Sequence, residues 1–307
     1  MREISITEIE GLRIGNAQNK EAGTGVTVLL FDREARIGVD ISGGGPASRE
    51  TPLASPLTAD NPVNAIVLSG GSAFGLAAGD GVMRYLEERG IGYETGYAKV
   101  PLVCQSCIYD LGYLRADIRP DAAMGYAACV DAERNQPSFG STGGGIGATV
   151  GKLYGMERAM KSGIGIYAMS VGELQMAAVV VVNALGDIYD PENGQKLAGL
   201  RTEDGKGFAD SCQELYKISQ RKDLFNNNTT IGTVVTNGKF SKAEMNKIAS
   251  MARNAYARCI CPVGTMADGD TIYGVSMGTV DADINMAGTL AAEVMAQAIK
   301  KAVQSAD

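Results

Sequence analysis

An α+β fold, in a single domain spanning residues 1–307, is what this sequence predicts. Three observations carry the prediction. Apolar, β-branched runs of strand length recur between Gly25 and Met277. Amphipathic stretches of helical length stand between and after them. Forty glycines, about twice the usual share, announce many tight turns and close backbone approaches. A chain this long has ample core.

Taken in order, Gly25–Phe31 and Ala35–Ser42 read as two strands flanking Asp32-Arg33 like a hairpin. Gly43-Gly44-Gly45-Pro46 breaks the pattern and opens a loop through Asp60. Asn64–Ser69 is a short buried strand that enters Gly70-Gly71-Ser72, and Ser72–Arg89 is an amphipathic helix ending at Gly90. Those glycines close the turn, with a nest of backbone N–H groups for an oxyanion as the alternative. Val100–Leu111 is mostly apolar and ends in Tyr109-Asp110, a buried tyrosine followed by a capping residue. A helix covers Ala122–Glu133. Gly143–Lys152 (GGGIGATVGK) has the look of a phosphate loop but lacks glycine at Ile146 and a hydroxyl at Leu153. It either holds Lys152 close to a site or leaves it exposed.

Gly163–Ser170 and Gln175–Leu185 read as two central strands. Asn183 follows four valines in the second, where an amide needs hydrogen-bond partners. It caps the strand locally or points its NH2 into a cleft. From Leu185-Gly186-Asp187 a polar surface excursion of little periodicity runs to Asn228, with Arg221–Asn228 as an exposed loop. The β-branched run from Thr229 is a buried strand, so a hydroxyl residue stands where a loop enters a strand. Asn237-Gly238 makes a turn. Ser241 and Glu244 form a capping box for a helix to about Tyr256. Asp268-Gly269-Asp270 is a tight turn before an alternating strand, and Asp281 and Asp283 cap a last helix to about Val303.

Composition narrows the function. Net charge is −7 and the pI about 4.9, with no basic cluster, which argues against nucleic acid and against an anionic membrane surface. Neither an apolar start segment nor a membrane-length apolar run occurs, so a cytoplasmic location is expected. The cysteines at 104, 107, 129, 212, 259 and 261 fit neither a disulfide framework nor a standard zinc ribbon, and buried free thiols are expected. No metal and no cofactor are expected. The chain contains no histidine. Ser-His-Asp and Cys-His arrangements and His-based metal sites are therefore excluded, and any hydrolytic base must be a lysine, a carboxylate or an α-amine.

Seven stretches in order resemble one family across nearly the whole chain: Gly43–Thr51, Val67–Gly90, the VPLV and IYDL ends of Val100–Leu111, Gly143–Lys152, Val182–Asp187, Asn228–Asn237 and Asp268–Gly274. These are similar to the P1 peptidases, which comprise L-aminopeptidase/D-esterases, β-peptidyl aminopeptidases and nylon-oligomer (6-aminohexanoate) endo-hydrolases. The resemblance implies an αββα sandwich like that of the N-terminal-nucleophile hydrolases, and self-cleavage between Asn228 and Thr229 into fragments 1–228 and 229–307. It makes Thr229 the nucleophile, with Thr230 as the competing choice, and surrounds it with Tyr109, Lys152, Asn183, Asp268 and Asp270. Aspartates at 268 and 270 side with the threonine branch of the family. A homo-oligomer of the cleaved pair and a small peptide or amide substrate are also implied.

Those residue types make chemical sense without histidine. Cleavage would free an α-amine on the residue that carries the hydroxyl, and its reference pKa of ~7.7–8.0, against ~10.4 for lysine, suits a general base near neutrality. Asp270, with Asp268, would hold the ammonium and the hydroxyl. Asn183 and Tyr109 would stabilise the oxyanion, and Lys152 would lower the hydroxyl's pKa or help transfer its proton. Two other functions are open at this stage: an acyltransferase of the ornithine/glutamate acetyltransferase kind, and an uncleaved, non-catalytic relative.

Overall fold

A computed structural model describes residues 1–218 and 228–306. Its main elements in chain order are β1 (Leu12–Asn19), β2 (Thr24–Ile41), β3 (Val63–Ser69), α1 (Ala78–Glu87), β4 (Val103–Cys107), α2 (Ala122–Ala132), β5 (Ile164–Val171), β6 (Leu174–Asn183), β7 (Asp187–Tyr189), α3 (Ser211–Lys217), β8 (Thr229–Gly238), α4 (Lys242–Ala252), α5 (Asn254–Cys259), β9 (Ile260–Cys261), β10 (Thr271–Val280) and α6 (Ile284–Gln304). The exposed loop expected at Arg221–Asn228 lies, apart from Asn228, outside the described residues.

Strand alternation builds the layers. In β6, Ala177, Val179 and Val181 join Leu29, Ile66 and Leu68 of β2 and β3 in one apolar space, between two sheets. Their neighbours Met176, Ala178, Val180 and Val182 face the opposite way, onto α4, α5 and α6. On the far side, Val26, Val28, Leu30 and Val67 pack on Val82 and Leu86 of α1 and Ala128 of α2. Helix, sheet, sheet, helix: the αββα sandwich is the architecture found. Each sheet is apolar on both faces, which is why its strands read as continuous hydrophobic runs.

The first sheet runs β5–β6–β8–β10 and then the end of β2, antiparallel except for the parallel β8–β10 pair. The second runs β1, the start of β2, β3 and β4, with β3 and β4 parallel. Strand β2 belongs to both. The expected hairpin at Asp32-Arg33 is therefore a correction: the chain continues as one strand of 18 residues. Its register shifts between Leu30 and Ala35 as it passes from one sheet to the other. A two-residue hairpin of the primed type needs positive φ, and neither Asp32 nor Arg33 has it.

Other expectations shift less. The Ser241–Glu244 capping box is present, and Asp283 caps α6 through the Met286 N–H. The helix expected from Ser72 begins as a 3₁₀ turn, Ser72–Ala77, before α1. The polar excursion after Leu185 is better folded than its composition suggests. Buried Asp187 accepts hydrogen bonds from Leu200 N and Ser211 N and Oγ and pairs with Lys196 Nζ at 2.7 Å. One carboxylate there substitutes for the missing hydrophobic periodicity.

Candidate active site

Three strand ends converge at one end of the space between the sheets. Asn183 closes β6 and lies directly opposite Thr229, which opens β8. The parallel partner β10 starts at Thr271, so Asp268 and Asp270 immediately precede it, and Asn228 bridges to Asp268. Register separates the two threonines. Thr229 shares its face with Ile231 and Val235, toward the inter-sheet space, whereas Thr230 shares its face with Val234, toward the helices. Thr229 is the one that faces the inter-sheet space, opposite Asn183 in register.

Asn183 is the hub. Its Oδ1 accepts from Lys152 Nζ at 2.7 Å and from Thr149 N at 3.1 Å, and its Nδ2 donates to the Tyr109 carbonyl at 3.1 Å. Lys152 Nζ also donates to the Asn183 carbonyl at 3.0 Å. The amine is thus held one residue pair away from Thr229, by a loop whose backbone is itself tied to Leu185 and Gly186. Of the sequence alternatives for Lys152, the structure shows the packed one. Tyr109 is half-buried and meets the group through its backbone.

The aspartates grip backbone. Asp270 Oδ1 accepts the Thr230 N–H at 2.7 Å and Oδ2 the Gly264 N–H at 3.1 Å. Asp268 Oδ2 accepts from both Thr265 N and Thr265 Oγ1. Glycines permit this crowding. A Cβ on Gly43 would lie 2.2 Å from Asp270 N, and one on Gly269 would lie 2.9 Å from Thr229 Oγ1 and 2.8 Å from the Gly45 carbonyl. At the junction itself, the Thr229 hydroxyl donates to the Asn228 carbonyl oxygen, and Gly269 N–H donates to the same oxygen at 2.9 Å. Asn228 and Thr229 are both buried.

Burial sets the electrostatics. Desolvation brings the Lys152 amine down to about 7, opposed by the charges of Asp268, Asp110 and Asp270. Burial, reinforced by the charge of Asp268, pushes Asp270 up to about 7, and burial raises Asp268 as well.

Two sequence readings need correcting. The Gly70–Ser72 nest is not open to an oxyanion, because its N–H groups go to the Gly25 carbonyl, Asp110 Oδ1 and the Ile108 carbonyl. Asp110 is a buried clamp rather than a simple cap. It binds Gly71 N and Thr24 Oγ1 and sits where a Cβ on Gly147 would reach 2.7 Å from its own Cβ. Sequence reasoning missed this carboxylate beside Lys152. The signal available was the glycine at each loop it touches.

Residues 5–307 match peptidase family S58. The chain belongs to that family. An S58 relative from Mycobacterium leprae, described as an uncharacterized aminopeptidase, is 35% identical over 295 residues, covering 91% of this chain and 80% of its own. The 6-aminohexanoate-oligomer endohydrolase of Kocuria sp. is 31% identical, covering 99% and 87%. In fold, this S58 chain is similar to the L-aminopeptidase D-Ala-esterase/amidase of Ochrobactrum anthropi, described as a variant of the N-terminal-nucleophile hydrolase fold. The TM-score is 0.73 at 14% identity, covering 99% of this chain and 86% of that one. The Burkholderia sp. β-aminopeptidase gives 0.70 at 18%, covering 98% and 86%. This S58 member is accordingly a hydrolase of peptide or amide bonds.

Proposed function

We propose that Thr229 is the nucleophile of this S58 hydrolase and that it arises by self-cleavage of the Asn228–Thr229 bond. The observation that carries this reading is the junction geometry. The Thr229 hydroxyl rests against the carbonyl it would attack, and the oxygen on which charge would develop already receives the Gly269 N–H at 2.9 Å. Before the cut no α-amine exists at Thr229, so Lys152, brought to about 7 by burial, is the proton acceptor for the hydroxyl. Attack of Oγ1 on the Asn228 carbonyl carbon forms an ester and breaks the C–N bond, and the Thr229 nitrogen leaves as an amine. Water then opens the ester, releasing the Asn228 carboxylate and restoring the hydroxyl. Asn228 Oδ1, buried without a hydrogen-bond partner among the described residues, adds a local cost that cleavage relieves.

In the cut enzyme the Thr229 amine serves as general base for its own hydroxyl. Asp270, which already accepts the N–H of neighbouring Thr230, and Asp268 would balance the ammonium, and the Asn183 Nδ2, exchanging the Tyr109 carbonyl for substrate, would donate to the oxyanion. The substrate class supported is a small amide or peptide whose acyl part carries an amine, in keeping with relatives named aminopeptidase and 6-aminohexanoate-oligomer endohydrolase. The test is Thr229→Ala on a denaturing gel. Wild type should yield a fragment of about 8 kDa, the share of residues 229–307 in a chain of 32.0 kDa, while the variant stays whole. Wild type that hydrolyses an aminoacyl p-nitroanilide while remaining one chain would defeat the proposal.

A further inference from the structure

We propose that Cys212 and Cys261 form a reversible disulfide that ties the end of the large fragment to the small fragment. The linkage across fragments rests on the cut proposed above; the disulfide itself does not. The two sulfurs stand 3.2 Å apart, with Cys212 on α3 and Cys261 at the end of β9. Residues distant in sequence are held in this contact from both sides. Asp187 anchors the start of α3 through Ser211, and β9 pairs with β7 through Asp187 and Cys261.

The pair differs from the other four cysteines in access. Cys104, Cys107, Cys129 and Cys259 are buried, which keeps oxidant from them. Cys261 is exposed and Cys212 half-buried. Cys261, the more exposed of the two, is the thiol that meets oxidant first.

The oxidant is a peroxide. Cys261 sulfur attacks one peroxide oxygen, the O–O bond breaks, and a sulfenic acid and water result. Cys212 sulfur then attacks the sulfenic sulfur. The S–S bond forms, the S–O bond breaks, and hydroxide leaves with the Cys212 proton as water. Overall two thiols are oxidised and one peroxide is reduced to two waters. The linkage lies beside the loop that holds the aspartates, since Cys261 leads through Pro262 and Val263 to Gly264, whose N–H binds Asp270.

The experiment treats purified protein with hydrogen peroxide or with dithiothreitol, blocks free thiols, and reads peptides by mass spectrometry and chains by gel. Peroxide should give a Cys212–Cys261 linked peptide, abolished by Cys212→Ser or Cys261→Ser and retained in Cys259→Ser. On a non-reducing gel the oxidised protein should run near 32.0 kDa and separate into fragments only with reductant. The uncut Thr229→Ala chain should form the same peptide, so a missing 8 kDa fragment speaks against the cut and leaves the disulfide standing. Absence of the linked peptide after peroxide, or linkage through Cys259 instead, would overturn the proposal.

Discussion

Replacing Asn183 by aspartate separates the roles at this site. The new carboxylate keeps the acceptor for Thr149 N and stays 2.7 Å from Lys152 Nζ, but it loses the Nδ2 donor to the Tyr109 carbonyl. An opposite charge this close raises an amine's pKa by roughly 1–3 units, on top of a value that burial holds at about 7. Asp110, Asp268 and Asp270 already act on the amine in the same direction, and burial outweighs them. If neutral Lys152 takes the Thr229 proton, the acid limb of self-cleavage moves upward by the same interval. The neutral fraction of the amine at pH 7, and the rate with it, then falls by roughly 5- to 500-fold and recovers in alkaline buffer. The lost bond to Tyr109 lowers the plateau by a constant factor without moving the limb. The assay is a time course of freshly translated precursor across pH 5–10, read on gels. An unmoved limb with a uniformly lower rate would refute Lys152 as the proton acceptor.

Other outcomes follow from the same geometry. Gly269→Ala places a Cβ 2.9 Å from Thr229 Oγ1 and 2.8 Å from the Gly45 carbonyl, so the junction must shift by about half an ångström. Cleavage should slow by roughly 10- to 10²-fold with an unchanged circular dichroism spectrum; a wild-type rate would show that the alignment at Gly269 does not matter. Asp270 titrates near 7 in the folded chain against 3.8 for an ordinary aspartate, so the folded state holds that proton more tightly than the unfolded one. Its ionisation therefore removes stability progressively as pH rises from about 4 to 7, and no more above that. In an uncut Thr229→Ala background, Asp270→Asn should gain melting temperature relative to its parent over that window, by several degrees. A difference that stays flat from pH 4 to 8 would contradict the burial argument.

Local signals in the sequence were sufficient wherever local physics decides. The Ser241–Glu244 box and the Asp283 cap each specify a helix start within four residues, and both are where they were expected. The strands around Val179–Val182 and Ile231–Val235 were legible because both of their faces are buried. The sandwich itself came from resemblance, since nothing in the alternation of β2 says that one strand serves two sheets. The hairpin reading failed for that reason: Asp32-Arg33 breaks the apolar run, but the halves find different partners far away in sequence. Tyr109, Lys152, Asn183, Asp268 and Asp270 were likewise named through resemblance. What brings their backbones together is the Asn183–Thr229 register and the β8–β10 pairing, which act over 46 and roughly 40 residues. Asp110 read only as a cap because its partners, Thr24 and the glycines of the Gly70-Gly71 and Gly147 loops, lie far apart in sequence. Each glycine reads alone as a turn, and only the fold shows them crowding one carboxylate.

The most direct measurement is the intact mass and N-terminal sequence of the mature wild-type protein. The account predicts two chains, the smaller beginning Thr-Thr-Ile-Gly at Thr229, and one uncut chain of 32.0 kDa for Thr229→Ala. An active wild-type protein that remains a single chain, or a small fragment that begins at Thr230, would contradict it.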